Sequence, residues 1–260
     1  MWVCRDKIYK KGPIVLKAVL TLLALVGSLR AGADAIEFKN FAASNVKAGA
    51  QSFTFSLLDS ATGRILTDSD LKIAHEKKLH FLVYDAALSE FRHEHPEFHG
   101  GVWTVSFDLP REGAYRVWAQ GVTLGDGKEF SAMTDLRVSG GLPANPVPSA
   151  LGDVREGVAG VSRVTLASGA VQSGNMEMLD LKFTRSDGSA VKITPYLGAI
   201  AHIVAVPLTG DQLLHVHPMA MGSDAAMVHV TFPTTGDYRL WVQFIDDGIL
   251  RVVPLSLSVQ

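Results

Sequence analysis

The sequence predicts an all-β protein composed of two tandem β-sandwich domains. Four short motifs recur in the same order, and the offset between the two copies is nearly constant, as from Val46 to Val171 and from His93 to His215. The segments around them are short, rich in aromatic and β-branched residues, and separated by turns that contain Asp and Gly, as is typical of strands. After residue 33 no segment shows a long apolar period of helical spacing, so helices are not expected. Repeats of about 90 residues with several short strands are typical of immunoglobulin-like or cupredoxin-like sandwiches.

The repeated motifs define the two copies. Four matches in one register are not expected by chance, so the two copies share an ancestor and should share a fold. The first copy contains the motifs at Val46–Gly49, Leu79–Val83, His93–Pro96 and Gly113–Gln120, and the second contains their counterparts at Val171–Gly174, Ala201–Ala205, His215–Pro218 and Gly236–Gln243.

Residues 1–33 are predicted to be a signal peptide. A basic front precedes an apolar run, Ala18–Leu29, and small residues at 31–33 offer a cleavage site before Asp34. As a helix this run would rise about 18 Å, which is too short for a bilayer core of roughly 30 Å. We therefore favour a cleaved signal and expect a periplasmic or secreted protein. An uncleaved signal anchor would be its only link to a membrane.

The rest of the chain divides at a proline- and glycine-rich tract. Three prolines and two glycines lie between Ser139 and Ser149, a composition typical of a semi-rigid spacer. The sequence thus predicts sandwich domain 1 over residues 34–138, a linker over 139–150 and sandwich domain 2 over 151–260.

Charge and cysteine content exclude some functions. Of 24 basic and 26 acidic residues, six basic and one acidic precede Asp34. The remaining 18 basic and 25 acidic residues give a net charge of about −7 with neutral histidines. An acidic surface repels phosphate backbones, so no nucleic-acid partner is expected. The one cysteine, Cys4, lies in the basic front, so the exported part has no disulfide or thiolate ligand.

Histidines recur with the same spacing in both copies. In each, a strand histidine stands ahead of a His-x-His-Pro motif, and the interval between them is identical in the two copies. Neutral imidazole is the commonest side-chain ligand for zinc, copper and nickel, and three imidazoles would converge if the chain doubles back once. The alternative is structural, with the rings bonded to backbone groups. The six candidate ligands are His80, His93, His95, His202, His215 and His217.

Further candidate ligands follow each His-x-His-Pro motif. Alternate residues of an extended segment project to one side, which adds Glu97 and His99 in the first copy and Met219 and Met221 in the second. Thioether sulfur suits Cu(I), so copper is the predicted metal, with zinc as the alternative. Other methionines, among them Met176, Met178 and Met227, are expected to pack in the core. His229 is expected to satisfy itself by hydrogen bonds, and His75 has no counterpart.

The Gly-x-Tyr-Arg-x-Trp motif predicts how one strand of each copy is oriented. Tyr115 and Tyr238 resemble the tyrosine corner of immunoglobulin-type sandwiches, whose hydroxyl bonds nearby backbone. Trp118 and Trp241 come three residues after these tyrosines, so their side chains project to the opposite side of the strand. The Tyr is therefore expected on one face of the sheet and the Trp on the other, outer face, with carbohydrate stacking as an alternative role for the Trp.

The chain resembles bacterial secreted proteins with cupredoxin-like or immunoglobulin-like domains, which carry V-x-A-G, L-H, F-x-H-x-H-P and G-x-Y motifs. That resemblance implies the handling of copper or another heavy metal in the periplasm. A blue-copper cysteine ligand is lacking, which argues against that kind of electron-transfer site. The matching residues are Val46–Gly49, Leu79–His80, Phe91–Pro96 and Gly113–Tyr115 in the first copy, and residues 195–199 ahead of His202, Leu214–Pro218 and Gly236–Tyr238 in the second.

Together these features predict an exported metal-binding protein that sequesters or delivers copper through its histidine clusters. The expected partners are the metal ion and another envelope protein that handles metals. The alternative is a structural or adhesin-like interaction module without a metal site. An enzyme is not expected, because Gly-x-Ser-x-Gly, P-loop and His-Glu-x-x-His motifs are absent from the sequence. In addition, Glu94 and Glu97, the candidate general bases, are replaced by Val216 and Met219 in the second copy.

Overall fold

The computed structural model describes residues 36–41 and 45–260. The predicted signal peptide, residues 1–33, lies outside the described residues. Within them the chain forms strands, loops and one short 3-10 turn, and no helix is long and apolar enough to cross a bilayer. The predicted all-β class is therefore confirmed.

The first half of the described chain forms two sheets. In one of them, strands such as Val102–Leu109 alternate buried and more exposed residues, as expected for a sheet with one face in a core. The strands are β1 (Ile36–Lys39), β2 (Val46–Lys47), β3 (Gly49–Asp59), β4 (Arg64–Leu66), β5 (Leu79–Asp85), β6 (Phe91–Glu94), β7 (Glu97–His99), β8 (Val102–Leu109), β9 (Gly113–Val122) and β10 (Glu129–Ser139), with a 3-10 turn at Asp68–Asp70.

The second half repeats the arrangement. Its first strand begins at Glu156, whereas the last strand of the first half ends at Ser139, and the segment between contains the predicted linker. The strands are β11 (Glu156–Ala159), β12 (Ser162–Ala167), β13 (Met176–Arg185), β14 (Ile193–Thr194), β15 (His202–Pro207), β16 (Leu214–Val216), β17 (Met219–Ala220), β18 (Ala225–Thr231), β19 (Gly236–Asp246) and β20 (Ile249–Val259).

The sheet order shows which strands correspond. In the first half, β10-β9-β5-β6 form one sheet and β3-β8-β7 belong to the other. In the second half, β20-β19-β15-β16 and β13-β18-β17 are joined in the same order. We call the sheets that contain β5 and β15 the inner sheets, and those that contain β8 and β18 the outer sheets.

Each half has its own apolar core between its inner and outer sheets. In the first, Phe55 of β3 and Trp103 of β8 pack with Phe81 of β5. In the second, Phe183 of β13 packs with Phe244 of β19, ring centroids 4.8 Å apart. These are two-sheet sandwiches, each closed by the alternate, inward-facing residues of its strands.

A third apolar cluster joins the two halves. It contains residues from β5, β6 and β9 of the first inner sheet and from β15 and β19 of the second. Phe91 stacks on Trp241 with ring centroids 4.5 Å apart and planes at 10°. The inner sheets are therefore buried on both faces, which explains why every residue of β5 and β15 is buried.

The tyrosine-corner prediction is confirmed in both halves. The hydroxyl of Tyr115 donates to the carbonyl oxygen of Arg111, and that of Tyr238 donates to the carbonyl oxygen of Thr234, both at 3.0 Å. The tryptophans do lie on the opposite face of the sheet, but that face is covered by the other domain. Trp118 and Trp241 are buried in the cluster between the halves, where a glycan could not stack on them.

Removing either tyrosine hydroxyl should weaken its own domain. Each phenol bonds a backbone carbonyl on the preceding loop, and a buried hydrogen bond of this kind contributes about 1 kcal/mol. We expect Tyr115→Phe and Tyr238→Phe each to lower the free energy of unfolding by about that amount in urea titrations. Equal stability of either variant and the parent would show that its corner bond contributes nothing.

Candidate metal centre

The strand register places the histidines at one end of the interface between the domains. His80 and Leu82 alternate along β5 and project to the same face, and Leu82 pairs with His93 of β6. His202 and Val204 occupy the same positions on β15, and Val204 pairs with His215 of β16. Because Leu82 and Val204 belong to the apolar cluster between the domains, the four histidines face that interface as well.

Within each copy the two strand histidines meet. Nδ1 of His80 lies 3.1 Å from Nε2 of His93, and Nδ1 of His202 lies 3.3 Å from Nε2 of His215. All four side chains are buried. The predicted approach of the upstream histidine to the first histidine of the motif thus occurs in both copies.

Backbone carbonyls determine which nitrogen of each upstream histidine carries its proton. Nε2 of His80 donates to the carbonyl oxygen of Ala74 at 3.2 Å, and Nε2 of His202 donates to that of Tyr196 at 2.9 Å. A carbonyl oxygen only accepts hydrogen bonds, so Nε2 holds the proton and Nδ1 carries a free lone pair. In both copies that lone pair points at the partner histidine.

In the first copy the partner nitrogen also lacks a proton. Nδ1 of His93 donates to Oε1 of Gln243 at 2.8 Å, so the lone pair of His93 is on Nε2. That nitrogen faces the free lone pair of His80 at 3.1 Å. Two nitrogens bound to one tetrahedral zinc at about 2.0–2.1 Å would lie roughly 3.3–3.4 Å apart. Two lone pairs at this spacing repel each other unless a cation lies between them.

The two copies share one cluster. The ring of His215 lies 4.8 Å from that of His93 and 5.0 Å from that of His80, measured between centroids. The bond between His93 and Gln243 joins the two domains directly. His75 stacks on His217 of the other domain, with centroids 3.6 Å apart. The sequence did not indicate whether the clusters meet, and in the structure they do.

Two sets of three histidines are close enough to share an ion. His80, His93 and His215 form one set, and His202, His215 and His217 form the other. In each set the candidate nitrogens all lie within 4.8 Å of one another. The first set draws on both domains and includes His215 where the sequence predicts His95. Because His215 belongs to both sets, the geometry favours one ion at the centre over two independent ions.

The downstream histidines of the two motifs have an unsatisfied nitrogen. Nε2 of His95 and Nε2 of His217 are buried and have no hydrogen-bond partner in the described part of the chain. The His95 ring is 4.8 Å from that of His93, and the His217 ring is 4.4 Å from that of His202. An unpaired buried nitrogen costs free energy, and coordination of an ion would remove that cost.

Burial keeps these imidazoles neutral. Desolvation lowers the pKa of His80 and of His202 to about 4, and that of His95 to about 3. It also lowers the pKa of His93, His215 and His217, with the neighbouring imidazoles adding to the effect. Neutral imidazole is the form that binds metal, so at neutral pH no proton has to be displaced.

The four additional candidates lie outside the cluster. Glu97 and His99 are exposed on β7 and bond each other at 3.1 Å. Met219 and Met221 are exposed as well. Met219 lines a surface cavity of about 590 Å³ together with His75 and His217, so it lies beside the buried histidines without joining them.

Sequence reasoning missed two residues of the site. His75 has no counterpart in the second copy, yet it stacks on His217 and lines a second cavity of about 530 Å³ that reaches His80 and His215. Gln243 bonds His93, and its counterpart Gln120 is also buried. The available signal was the glutamine that follows both Gly-x-Tyr-Arg-x-Trp motifs, next but one after each tryptophan.

Comparisons with known proteins find one family model and several distantly similar solved structures. Residues 156–260 match the model of a domain family of unknown function, DUF8832. No curated protein matches the chain. The solved structures that match include a bacterial adhesin, fibronectin(III)-like modules and invasin.

Three of these structures illustrate the likeness. The Escherichia coli adhesin FdeC is 16% identical, with a TM-score of 0.27, over 88% of this chain and 65% of its own. The fibronectin(III)-like modules of Clostridium thermocellum CbhA are 12% identical, with a TM-score of 0.22, over 86% and 94%. Invasin, a bacterial integrin-binding protein, is 14% identical, with a TM-score of 0.24, over 86% and 39%. This chain thus spans less than two thirds of the adhesin and of invasin. Likeness at this level carries no argument about fold or function.

Proposed function

We propose that this protein binds a copper ion in the histidine cluster between its two domains. The observation that carries the proposal is the pair of free lone pairs on Nδ1 of His80 and Nε2 of His93, which face each other at 3.1 Å. Each is fixed by a hydrogen bond from the other nitrogen of its ring, to Ala74 and to Gln243. Such outer bonds are how metal-binding histidines are held in one tautomer and orientation.

The chemistry of the cluster favours copper, with zinc as the alternative. The candidate ligands are neutral nitrogens, and among divalent first-row ions Cu(II) binds a given nitrogen site most tightly. The cluster also suits a stored or transferred ion, because buried ligands on two domains can release it when the domains part. Sequestration or delivery in the bacterial envelope, with another metal-handling protein as partner, follows from the predicted signal peptide. We do not propose a catalytic role.

The test is a titration of the metal-free protein with Cu(II), Cu(I) and Zn(II) against chelators of known affinity. We expect one Zn(II) or Cu(II) per chain. His93→Ala combined with His215→Ala should lower the affinity about 100-fold or more, since changes to outer partners alone cost roughly 10–100-fold. His99→Ala is the matched control, because its exposed ring lies on β7 outside the cluster. Unchanged stoichiometry and affinity in the double variant would overturn the proposal.

A second candidate function is a structural or adhesin-like module, in which the histidines only hold the domains together. The observation that favours it is the bonding across the interface, where His93 joins Gln243 and Phe91 stacks on Trp241. A rigid pair of sandwiches suits a protein that presents a binding surface outside the cell. This function predicts that the double variant melts at a lower temperature while no metal affinity changes.

A further inference from the structure

The outer sheet of domain 2 carries exposed methionines. Met176 and Met178 of β13 are 64% and 60% exposed, and Met219 of β17 is 50% exposed. The expectation that Met176 and Met178 pack in the core is therefore wrong. Their neighbour Leu179 fills that core, and the methionines project from the opposite face of β13.

The strand register gathers these methionines around one histidine. Met178 lies directly opposite His229 of β18, and Met219 lies directly opposite Met227 of the same strand. Directly opposed side chains have their Cβ atoms about 4.5–5.5 Å apart. Met227 and His229 are alternate residues of β18 and so share a face. Three sulfurs and one imidazole thus occupy two adjacent rows of the same sheet, and the Asp180 carboxylate lies opposite Met227 in one of these rows.

The histidine at the centre of this group has an unsatisfied nitrogen. Nε2 of His229 is buried and has no hydrogen-bond partner in the described part of the chain. The expectation that His229 satisfies itself by hydrogen bonds is therefore wrong for Nε2. A buried donor atom that lacks a polar partner and shares a sheet face with several thioethers is available to a soft ion.

Domain 1 shows that the fold does not require thioethers here. In the corresponding rows, Ser52 of β3 lies opposite Ser106 of β8, and Glu97 of β7 lies opposite Thr104 of β8. The two serine hydroxyls bond each other at 3.0 Å. Hydroxyls and a carboxylate occupy the same positions in domain 1, and the sheet still forms there. Packing of the sheet therefore does not explain why domain 2 has sulfur at these positions.

We propose that Met178, Met227 and His229, with Met219 beside them, form a second metal site, specific for Cu(I). Thioether sulfur is a soft ligand that selects Cu(I) over Zn(II) and other harder ions, and imidazole also binds copper. Methionine has three rotatable bonds, so the sulfurs can turn toward the ring without backbone movement. The site uses none of the histidines in the cluster between the domains and stands whether or not that cluster binds metal.

Met219 connects this site to a neighbouring cavity. Met219 also lines the cavity of about 590 Å³ whose wall includes His75 and His217. Met219 therefore joins the sheet face that carries the proposed Cu(I) site to a cavity whose wall also includes His217 of the interdomain histidine cluster.

The test is addition of Cu(I), and of Ag(I) as its redox-inert substitute, to the full chain with 13C-labelled methionine methyl groups. We expect the resonances of Met178 and Met227 to shift on stoichiometric addition, with no shift on addition of Zn(II). His229→Ala with Met178→Leu should lower the affinity for this Cu(I) at least about tenfold, while Zn(II) binding by the interdomain cluster stays unchanged.

Met133→Leu is the matched control, because Met133 packs against the apolar cluster between the domains. This substitution should leave Cu(I) binding intact. The proposal is overturned if the methyl resonances of Met178 and Met227 do not move with Cu(I) or Ag(I), or if the double variant binds as much Cu(I) as the parent. Loss of Zn(II) binding in the His93→Ala, His215→Ala protein, with these methyl shifts retained, would separate the two sites.

Discussion

The metal-free protein is expected to lose stability steeply as the pH falls from about 6.5 toward 4. Burial lowers the pKa of His80 and of His202 to about 4 in the folded state, whereas the pKa of histidine in an unfolded chain is about 6.5. Below that pH the unfolded state binds protons that the folded state does not bind, so unfolding becomes more favourable. Each of these two histidines then removes about 3 kcal/mol once the pH is well below 4. Domains have only about 5–15 kcal/mol of stability in total.

Urea titrations at pH 7.5, 6.0, 5.0 and 4.5 measure this effect. We expect the free energy of unfolding to be flat above pH 7 and to fall continuously below pH 6.5. Copper should oppose this loss of stability at mildly acidic pH. A free copper concentration of about 100 times the Kd adds about 2.7 kcal/mol to the free energy of unfolding. His99→Ala should follow the parent curve, since its ring is exposed. A free energy that is constant between pH 7 and 4.5 would show that the cluster accepts protons without cost.

The fold class was predictable from the sequence, whereas the placement of the two domains was not. Period-two patterns and the repeated motifs locate the strands, because side-chain alternation is a local property. Contact between the domains depends on which faces of the inner sheets are covered. The alternation of residues along a strand cannot distinguish a sheet face that another domain covers from a sheet face that solvent covers. Trp118 and Trp241 were assigned to an outer face for that reason. The continuous burial of β5 and β15 has a sequence signal, since strands covered on both faces read as unbroken apolar runs. Phe81–Tyr84 and Ile203–Val206 are such runs.

The candidate site was predictable in its parts and not in its assembly. The repeated interval between the histidines brings His80 to His93 because β5 and β6 are adjacent antiparallel strands. The third histidine of that set, His215, could not be predicted in this way, since it comes from the other domain. The surface methionines were misassigned because a strand pattern does not say which parity faces the core, and Leu179 holds the core position beside Met178.

Truncation of Trp241 should weaken metal binding without removing any ligand. Its indole is 2% exposed and stacks on Phe91 across the interface. Loss of a buried aromatic side chain costs about 3–5 kcal/mol. Gln243, which fixes the tautomer of His93, lies next but one after Trp241 along β19. We therefore expect Trp241→Ala to loosen the contact that brings His93 to His215, and to lower Zn(II) or Cu(II) affinity about tenfold or more.

The comparison that isolates the interface is with Leu179→Ala. Leu179 is buried in the domain 2 core, on the outer sheet, which carries none of the histidines of the interdomain cluster, and its truncation should cost a similar amount, about 2–5 kcal/mol. Metal affinity is measured at a temperature where both variants are folded. If the interface assembles the site, only Trp241→Ala lowers the affinity, because only that change acts on the surface where the domains meet. An equal fall in both variants would mean that affinity follows general stability. An unchanged affinity in Trp241→Ala would mean that each domain holds its histidines in place alone.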